Sequence, residues 1–207
     1  MGFDQDDGGR VPLADNGLRS WSLPAAVIVL GLLAQSGGQP ARVLLRYGRS
    51  AIADGEWWRL LTGHFVHLGW PHFLMNALAL VLIWALVGRY LRLLQWLAVL
   101  LIVVVGIDAG FWWREPGLYW YVGLSGVLHG LLCAGIVAAV PRVPAEMLVL
   151  AVLVAAKLVY EQLAGALPGS AATAGGPVVV NAHLYGAIAG TLCGGFFLCN
   201  TIRRVPV

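Results

Sequence analysis

The sequence predicts an all-α polytopic membrane protein in which six transmembrane helices form one bundle. Of its 207 residues, 59% are hydrophobic and 11% are charged, whereas an ordinary soluble domain carries about 25% charged residues. The mean hydropathy is +0.80, and the nine Trp and six Tyr suit the two interfaces of a lipid bilayer. The formal net charge is only +3 and its arginines lie mostly in loops, which indicates membrane topology rather than nucleic-acid binding.

Six apolar segments define the predicted spans, namely 22–36, 71–88, 92–109, 124–140, 145–163 and 179–200. Several are shorter than the ~20 residues that a straight span needs. Before them, the stretch from Met1 to Asn16 carries four aspartates and one arginine, which is unlike the basic start of a signal peptide. We therefore interpret residues 1–20 as a cytoplasmic N-terminal segment and residues 21–202 as a single membrane domain with an uncleaved first helix.

The loop arginines predict the orientation, because cytoplasmic loops are enriched in Lys and Arg. Arginines lie in the loops after the second and fourth spans and at both ends of the chain, so both termini are expected in the cytoplasm. The segment 37–70 is the exception, since it carries four arginines on the predicted outer side. Long loops follow the rule less strictly, and Glu56-Trp57-Trp58-Arg59 indicates a folded element at the interface.

Two of the spans carry small residues at every fourth position. In the fourth span these are Gly126, Gly130, Ala134 and Ala138, and in the sixth they are Ala182, Gly186, Gly190 and Gly194. Small residues at this interval form a ridge along one helix face and let two helices approach closely in lipid. Such an approach would bring Ser125, beside the first ridge, close to His183, beside the second.

The depths of the polar side chains favour the same contact. Counting ~1.5 Å of rise per residue from the cytoplasmic arginine after each span puts Ser125 and His72 about 26 Å up and His183 about 30 Å up. The hydrocarbon core is ~30 Å thick. Three polar side chains from three spans are therefore expected at similar depth, near the outer boundary.

A serine beside a histidine inside a membrane indicates nucleophilic catalysis, because a neutral imidazole can take the serine proton. The alternative is a packing serine that bonds its own helix. His129 is a rival base one turn below Ser125 on the same face, but we favour His183 and give His129 a supporting role. No Asp or Glu lies within one turn of His183, so we predict a Ser–His dyad. Lys157 and Glu161 are expected to pair with each other, without a chemical role.

His72 and Asn76 are four residues apart and share a helix face, where both can donate hydrogen bonds to a developing oxyanion. If the fourth span begins at Ser125, the N–H of that residue is a third donor. The alternative is a polar clamp between helices. His64, His67 and His72 have spacings of three and five without a nearby carboxylate, which does not favour a metal site. We predict neither a bound metal nor a cofactor.

Five motifs follow one another between about residue 56 and residue 195, namely Trp58-Arg59, His67, His72-x-x-x-Asn76, Gly123-x-Ser125-Gly126 and Ala182-His183-x-x-Gly186-x-x-x-Gly190. Together they resemble the rhomboid intramembrane serine proteases. The resemblance implies a six-helix rhomboid-like bundle in which Ser125 is the nucleophile and His183 is the general base. It implies an oxyanion hole made by His72, Asn76 and the N–H of Ser125. Supporting roles fall to Gly123, Gly126, His129, Gly186, His67, Trp58 and Arg59, and the fifth span is implied to be a lateral gate.

His129 narrows the resemblance, because many rhomboids have a tyrosine at that place. A histidine there, in a short chain, is similar to the rhombosortase branch, which cuts C-terminal sorting tails made of a Gly-Gly motif, a helix and basic residues. The expected partners are therefore exported proteins with such tails, in a bacterial inner (cytoplasmic) membrane, with the active site open to the outer side. A general bacterial rhomboid protease, a non-catalytic membrane adaptor and a small transporter stay open as alternatives. Transfer to an amine instead of hydrolysis is open as well.

Overall fold

The computed structural model describes residues 21–202, so the predicted segment 1–20 lies outside the described residues. In chain order, the first part comprises α1 (Ser22–Ser36), α2 (Gly38–Leu45), β1 (Tyr47–Gly48), α3 (Arg49–Ala53), α4 (Trp58–Thr62), α5 (Trp70–Val87), a 3₁₀ turn (Gly88–Tyr90) and α6 (Leu93–Arg114). The second part comprises β2 (Trp120–Tyr121), α7 (Ser125–Ala139), α8 (Pro144–Ala164), α9 (Ser170–Ala174) and α10 (Val180–Ile202). The two short strands pair in antiparallel fashion.

Each predicted span overlaps one helix, and the largely helical structure with several apolar spanning helices confirms the all-α membrane bundle. Within residues 21–202, four helices are long and apolar enough to cross a membrane alone, namely α5, α6, α8 and α10. Helix α1 adds a fifth span only if it is joined to α2, which follows a bend of 116°. Helix α7 has 15 residues and is therefore shorter than a ~30 Å hydrocarbon core. The chain is a multi-pass membrane protein in which α7 depends on its neighbours.

Helix α7 is the central helix of the bundle. Eleven of its residues are buried, because α5, α6, α8 and α10 all pack against it. Its most extensive contact is with α10, where the two ridges of small residues meet. A Cβ atom at Gly186 would lie 2.1 Å from the carbonyl oxygen of Gly126, and one at Gly190 would lie 2.0 Å from that of Gly130. No side chain fits between these two backbones, so the close approach predicted from the sequence requires glycine.

The segment between α1 and α5 is folded and tied to the bundle. Tyr47 in β1 lies opposite Tyr121 in β2. Arg49 donates hydrogen bonds to the carbonyl of Phe111 at 3.0 Å and to that of Trp112 at 2.6 Å, near the C-terminal end of α6 where carbonyls lack helical partners. Arg49 therefore has a structural role, which is independent of the rule that relates loop arginines to membrane orientation.

Candidate active site

Ser125 and His183 meet at the N-terminal ends of α7 and α10. Ser125 is the first residue of α7, and His183 lies in the first turn of α10. The Ser125 Oγ is 2.9 Å from the His183 Nε2, which is a hydrogen-bond distance. His183 is buried and Ser125 is half-buried. The two helices therefore bring together a hydroxyl and a base in the geometry that an activated serine requires.

The second ring nitrogen of His183 faces a carboxylate. His183 Nδ1 lies 2.9 Å from Glu161 Oε2, and Lys157 Nζ lies 2.7 Å from Glu161 Oε1. The expectation that His183 has no acidic neighbour is therefore wrong, and so is the expectation that the Lys157–Glu161 pair stands apart from the site. The chain next to His183 contains no acidic residue, and Glu161 comes from another helix, α8.

His129 forms one wall of the site. Its ring stacks on that of His183, with centroids 4.3 Å apart and planes inclined by 19°. Its Nδ1 lies 2.7 Å from the carbonyl oxygen of Ser125, and since a carbonyl only accepts, this nitrogen carries the proton. His129 is thus fixed by a backbone bond and by stacking, and the geometry favours His183 as the partner of the Ser125 hydroxyl.

His72 and Asn76 lie buried on α5. The backbone N–H of Leu68 is directed at His72 Nδ1 over 3.4 Å, so the ring proton of a neutral His72 is left on Nε2. A Cβ atom at Gly123 would lie 3.4 Å from that Nε2, which shows that the donor faces the backbone just before Ser125. Asn76 Nδ2 donates to the carbonyl of His72 at 2.9 Å, and its second amide proton is left for another acceptor.

The segment before α7 positions the backbone N–H of Ser125. That N–H belongs to the first helical residue and has no partner within the helix. Gly123 has φ +135°, which L side chains rarely adopt, and its N–H donates to the carbonyl of Gly63 at 3.1 Å. The hydroxyl of Tyr121 donates to the carbonyl of Gly123 at 2.6 Å. The sequence analysis did not single out Tyr121, because the Gly123-x-Ser125 motif carries no signal for a side chain upstream of it.

The other predicted supporting residues lie in the chain before α5. His67 is buried with its ring centroid 5.0 Å from that of His72, and burial, followed by the electrostatic influence of the neighbouring His72, lowers the pKa of His67 to about 3. Arg59 is also buried and donates to the Glu56 carboxylate at 2.6 Å and to two loop carbonyls. Trp58 is 47% exposed. Arg59 therefore stabilises the loop, while the ring of His67 packs edge-on against the ring of His72.

Three side chains of the site could in principle hold a metal ion. His129, Glu161 and His183 each place one potential ligand atom within 4.8 Å of the others. Each of the three already takes part in a hydrogen bond with the protein. A metal bound there would have to displace a hydrogen bond that His183 makes with Ser125 or Glu161. Hydrogen bonding alone therefore explains why the three side chains lie close together.

The fold and the site together define a multi-pass helical membrane protein with a serine–histidine pair between two of its helices. The Rhomboid domain family model matches residues 54–200, which is more than half of the chain, and the chain therefore belongs to the rhomboid family.

Two relatives from Bacillus subtilis (strain 168) are similar to parts of this chain. The candidate rhomboid protease YdcA is 35% identical over 80 residues, which are 39% of this chain and 40% of that protein. Rhomboid protease GluP is 34% identical over 113 residues, which are 52% of this chain and 22% of that protein. The aligned region therefore spans less than half the length of either relative.

Proposed function

We propose that this protein is an intramembrane serine endopeptidase with Ser125 as nucleophile and His183 as general base. The observation that carries the proposal is the 2.9 Å hydrogen bond between Ser125 Oγ and His183 Nε2, because a serine becomes a good nucleophile when a base can accept its proton. The donors of His72 and of the helix start supply the second requirement of acyl transfer, stabilisation of an oxyanion. Membership of the rhomboid family and two relatives named as rhomboid proteases support the same activity.

The proposed reaction follows from the positions of these groups. Ser125 Oγ attacks the scissile carbonyl carbon while its proton passes to His183 Nε2. The oxyanion accepts hydrogen bonds from the N–H of Ser125, from His72 Nε2 and from Asn76. Collapse breaks the C–N bond, His183 returns the proton to the leaving amine, and the acyl group stays on Ser125. Water activated by the same imidazole then releases the acyl product, and an amine in place of water would give transfer instead.

We propose that the substrate is a helix that approaches sideways from the lipid between α5 and α8. In α8, only 17% of an apolar stretch of 18 residues is buried, against 44% in α5 and in α10. Helix α8 therefore has the least contact to lose when it moves aside. The cleavage region must unwind, because the amides of a helix are shielded by their own hydrogen bonds. Glycine makes unwinding cheap, which suits a Gly-Gly site.

Within this class, we propose the C-terminal tail helices of exported proteins, of the Gly-Gly type, as substrates in a bacterial inner membrane. The support is the resemblance to the rhombosortase branch, which rests on His129. That histidine stacks on His183 at the place where many rhomboids have a tyrosine. A general bacterial rhomboid protease acting on other single-span proteins is the alternative, and it predicts indifference to the Gly-Gly motif.

Ser125→Ala and His183→Ala test the activity. Each variant, co-expressed with a Gly-Gly tail substrate, is expected to insert and fold normally yet leave the substrate at full length. Ser170→Ala is the matched control, because the Ser170 hydroxyl bonds a local carbonyl next to α9 and its loss should not affect cleavage. Cleavage at the wild-type rate by either Ser125→Ala or His183→Ala would remove the proposal.

A labelling experiment separates the remaining classes. A fluorophosphonate probe should label the wild-type protein and not Ser125→Ala, whereas a non-catalytic adaptor would not be labelled in either form. Flux through liposomes that survives Ser125→Ala would favour a transporter. Replacing Gly-Gly in the tail by Val-Val should abolish cleavage, and equal cleavage of both tails would favour the general rhomboid protease.

A further inference from the structure

Glu161 occupies an unusual position on the helix that carries it. Helix α8 buries only two residues, Met147 and Glu161, and Glu161 is 3% exposed. A buried carboxylate is costly unless other groups hydrogen-bond and neutralise it. Its inward position on a helix that buries so few residues therefore indicates that its contacts in the bundle stabilise it there.

The contact with Glu161 decides which nitrogen of His183 carries the proton. Neutral imidazole has one N–H, and an ionised carboxylate can only accept. The 2.9 Å distance between His183 Nδ1 and Glu161 Oε2 therefore places the proton on Nδ1. The lone pair of Nε2 is then directed at the Ser125 hydroxyl, 2.9 Å away, which is the arrangement that a general base needs.

Lys157 provides the charge that keeps this carboxylate ionised. Its Nζ lies 2.7 Å from Glu161 Oε1, the oxygen that His183 does not use. The Lys157 side chain is 30% exposed, against 3% for that of Glu161, so the ammonium reaches solvent while its partner stays buried. Lys157 Nζ also lies 3.4 Å from His183 Nδ1, but both atoms are donors, so the carboxylate is the effective partner of each.

We propose that Glu161 is a positioning residue that extends the Ser125–His183 pair into a Ser–His–Glu triad with Lys157 as its counterion. The inference rests on the proposed function. Glu161 accepts a hydrogen bond from the His183 Nδ1–H throughout the reaction and stabilises the imidazolium that forms when Nε2 takes the Ser125 proton. Glu161 is never protonated itself, because that proton stays on Nε2 until it passes to the leaving amine.

The triad also couples the chemistry to the position of α8. Glu161 lies on α8 and His183 on α10, so an outward displacement of α8 separates the carboxylate from Nδ1. The imidazole then loses the bond that fixes its tautomer and its ring orientation. A substrate that approaches beside α8 would therefore be cut only after α8 has returned against α10.

Glu161→Gln tests the proposal, because it removes the charge and keeps the size of the side chain. We expect kcat for tail cleavage to fall by about 10²–10⁴-fold, as for loss of the charged member of other triads, with little change in KM because the lost interaction strengthens in the transition state. Glu146→Gln is the matched control. It makes the same substitution in the exposed first turn of the same helix and should leave kcat unchanged.

The pH profile distinguishes positioning from simple structural support. Within residues 21–202, His129 on α7 and Lys157 and Glu161 on α8 contact the His183 ring, and His72 on α5 interacts with it electrostatically. On α6, which also packs against α10, Asp108 is instead paired with His64. Without the Glu161 charge the imidazolium is less stable, so the acid limb of kcat/KM should move to lower pH in Glu161→Gln. It should stay near the wild-type position in Glu161→Asp, which keeps the charge.

The outcomes separate this inference from the function on which it rests. If Glu161→Gln turns over at the wild-type rate and its acid limb does not move, Glu161 has no positioning role. If Ser125→Ala is inactive in the same experiment, the protease proposal still stands. Identical acid limbs in Glu161→Gln and Glu161→Asp overturn the positioning role as well. Full activity of Ser125→Ala removes the protease proposal and, with it, the triad.

Proton NMR gives a readout that needs neither substrate nor activity. An imidazole N–H bonded to a carboxylate resonates far downfield, and two such pairs occur in the described part of the chain, His183–Glu161 and His64–Asp108. One downfield resonance should be present in the Ser125→Ala variant and should disappear when His183→Asn is added to it. This test does not depend on whether Glu161→Gln folds. Absence of this resonance from Ser125→Ala, or its persistence after His183→Asn, contradicts the proposal.

Discussion

His72 shows how one backbone group sets the chemistry of a side chain. The N–H of Leu68 is directed at Nδ1, so the proton of Nε2 is presented towards Gly123 and the site. His72→Ala removes this donor, and we expect kcat for tail cleavage to fall by about 10²–10³-fold, the usual cost of losing one oxyanion donor. Steady-state kinetics in detergent would show the loss in kcat rather than KM, and an unchanged kcat would exclude His72 from the oxyanion hole.

Lys157 matters through the carboxylate that it neutralises. Lys157→Met keeps the length of the side chain and removes the ammonium, which leaves Glu161 buried beside His183 without its counterion. A buried carboxylate without a cation binds a proton more readily, so we expect kcat to fall by at least about tenfold and the acid limb to move to higher pH. That direction is opposite to the one expected for Glu161→Gln.

The control for this prediction is Lys157→Arg, which keeps the positive charge and should retain most of the activity. Both variants are compared by their pH–rate profiles in the same detergent. If Lys157→Met follows the wild-type profile at every pH, the ammonium has no part in the site, and the ionisation of Glu161 needs another explanation.

Contacts between helices that each carry a recognisable pattern were easier to predict than contacts that arise from tertiary packing alone. The contact of Ser125 with His183 follows from two local patterns, because a ridge of small residues can be recognised within each span. Glu161 and Tyr121 carry no such pattern. Glu161 reaches the site because α8 packs beside α10, and Tyr121 because β2 pairs with the first loop, so both roles depend on tertiary packing that one sequence does not display.

At the scale of helices, the α7–α10 contact sets the distance between the two reactive groups. A Cβ atom at Gly190 would lie 2.0 Å from the carbonyl oxygen of Gly130, whereas one at Gly195 on the same helix meets nothing within 4 Å. Gly190→Ala should therefore force α7 and α10 apart, reduce cleavage strongly and lower the unfolding temperature in detergent. Gly195→Ala should change neither property, and equal effects of the two substitutions would contradict the role of the ridge.

The helices themselves were predictable, but their lengths and bends were not. Apolar runs located the six long apolar helices, α1, α5, α6, α7, α8 and α10, because a membrane span must satisfy its backbone hydrogen bonds internally. Helix α6 continues to Arg114, beyond the predicted end at residue 109. The bend after α1 arises at Gly37 and Gly38, where Gly38 has φ +60° and interrupts the helix. Hydropathy records neither feature, since both depend on local backbone conformation and on neighbouring helices.

At the scale of the whole molecule, the bundle encloses a small cluster of polar side chains within an apolar core and exposes an apolar surface. His72, Asn76, Glu161 and His183 are all buried, although they come from three different helices. Large apolar side chains are exposed on the outer faces of the spanning helices, among them Leu78, Leu101, Leu153 and Leu192. Such a surface is typical of contact with lipid. The proposed hydrolysis therefore requires water to reach the reactive groups from one end of the bundle.

The orientation of α8 decides which end of the bundle faces the outside. If α8 spans the membrane, its two flanking segments must lie on opposite sides. Glu146, in its first turn, and Ala171, in α9 beyond its C-terminal end, are both exposed and can be exchanged for cysteine one at a time. The native thiols Cys133, Cys193 and Cys199 are free and would first be replaced by alanine. The loop arginines predict that the α9 side is external.

A membrane-impermeant maleimide should therefore label Ala171→Cys in intact cells and label Glu146→Cys only after the cells are permeabilised. The N-terminal end of α10, which carries His183, lies on the same side as α9, because α9 immediately precedes α10 among the helices. The N-terminal end of α7 lies there too, because Ser125 contacts His183. External labelling of Ala171→Cys would thus place the site where the tails of exported proteins arrive. The reverse pattern would open the site to the cytoplasm and contradict exported proteins as substrates, whatever the activity of the purified enzyme.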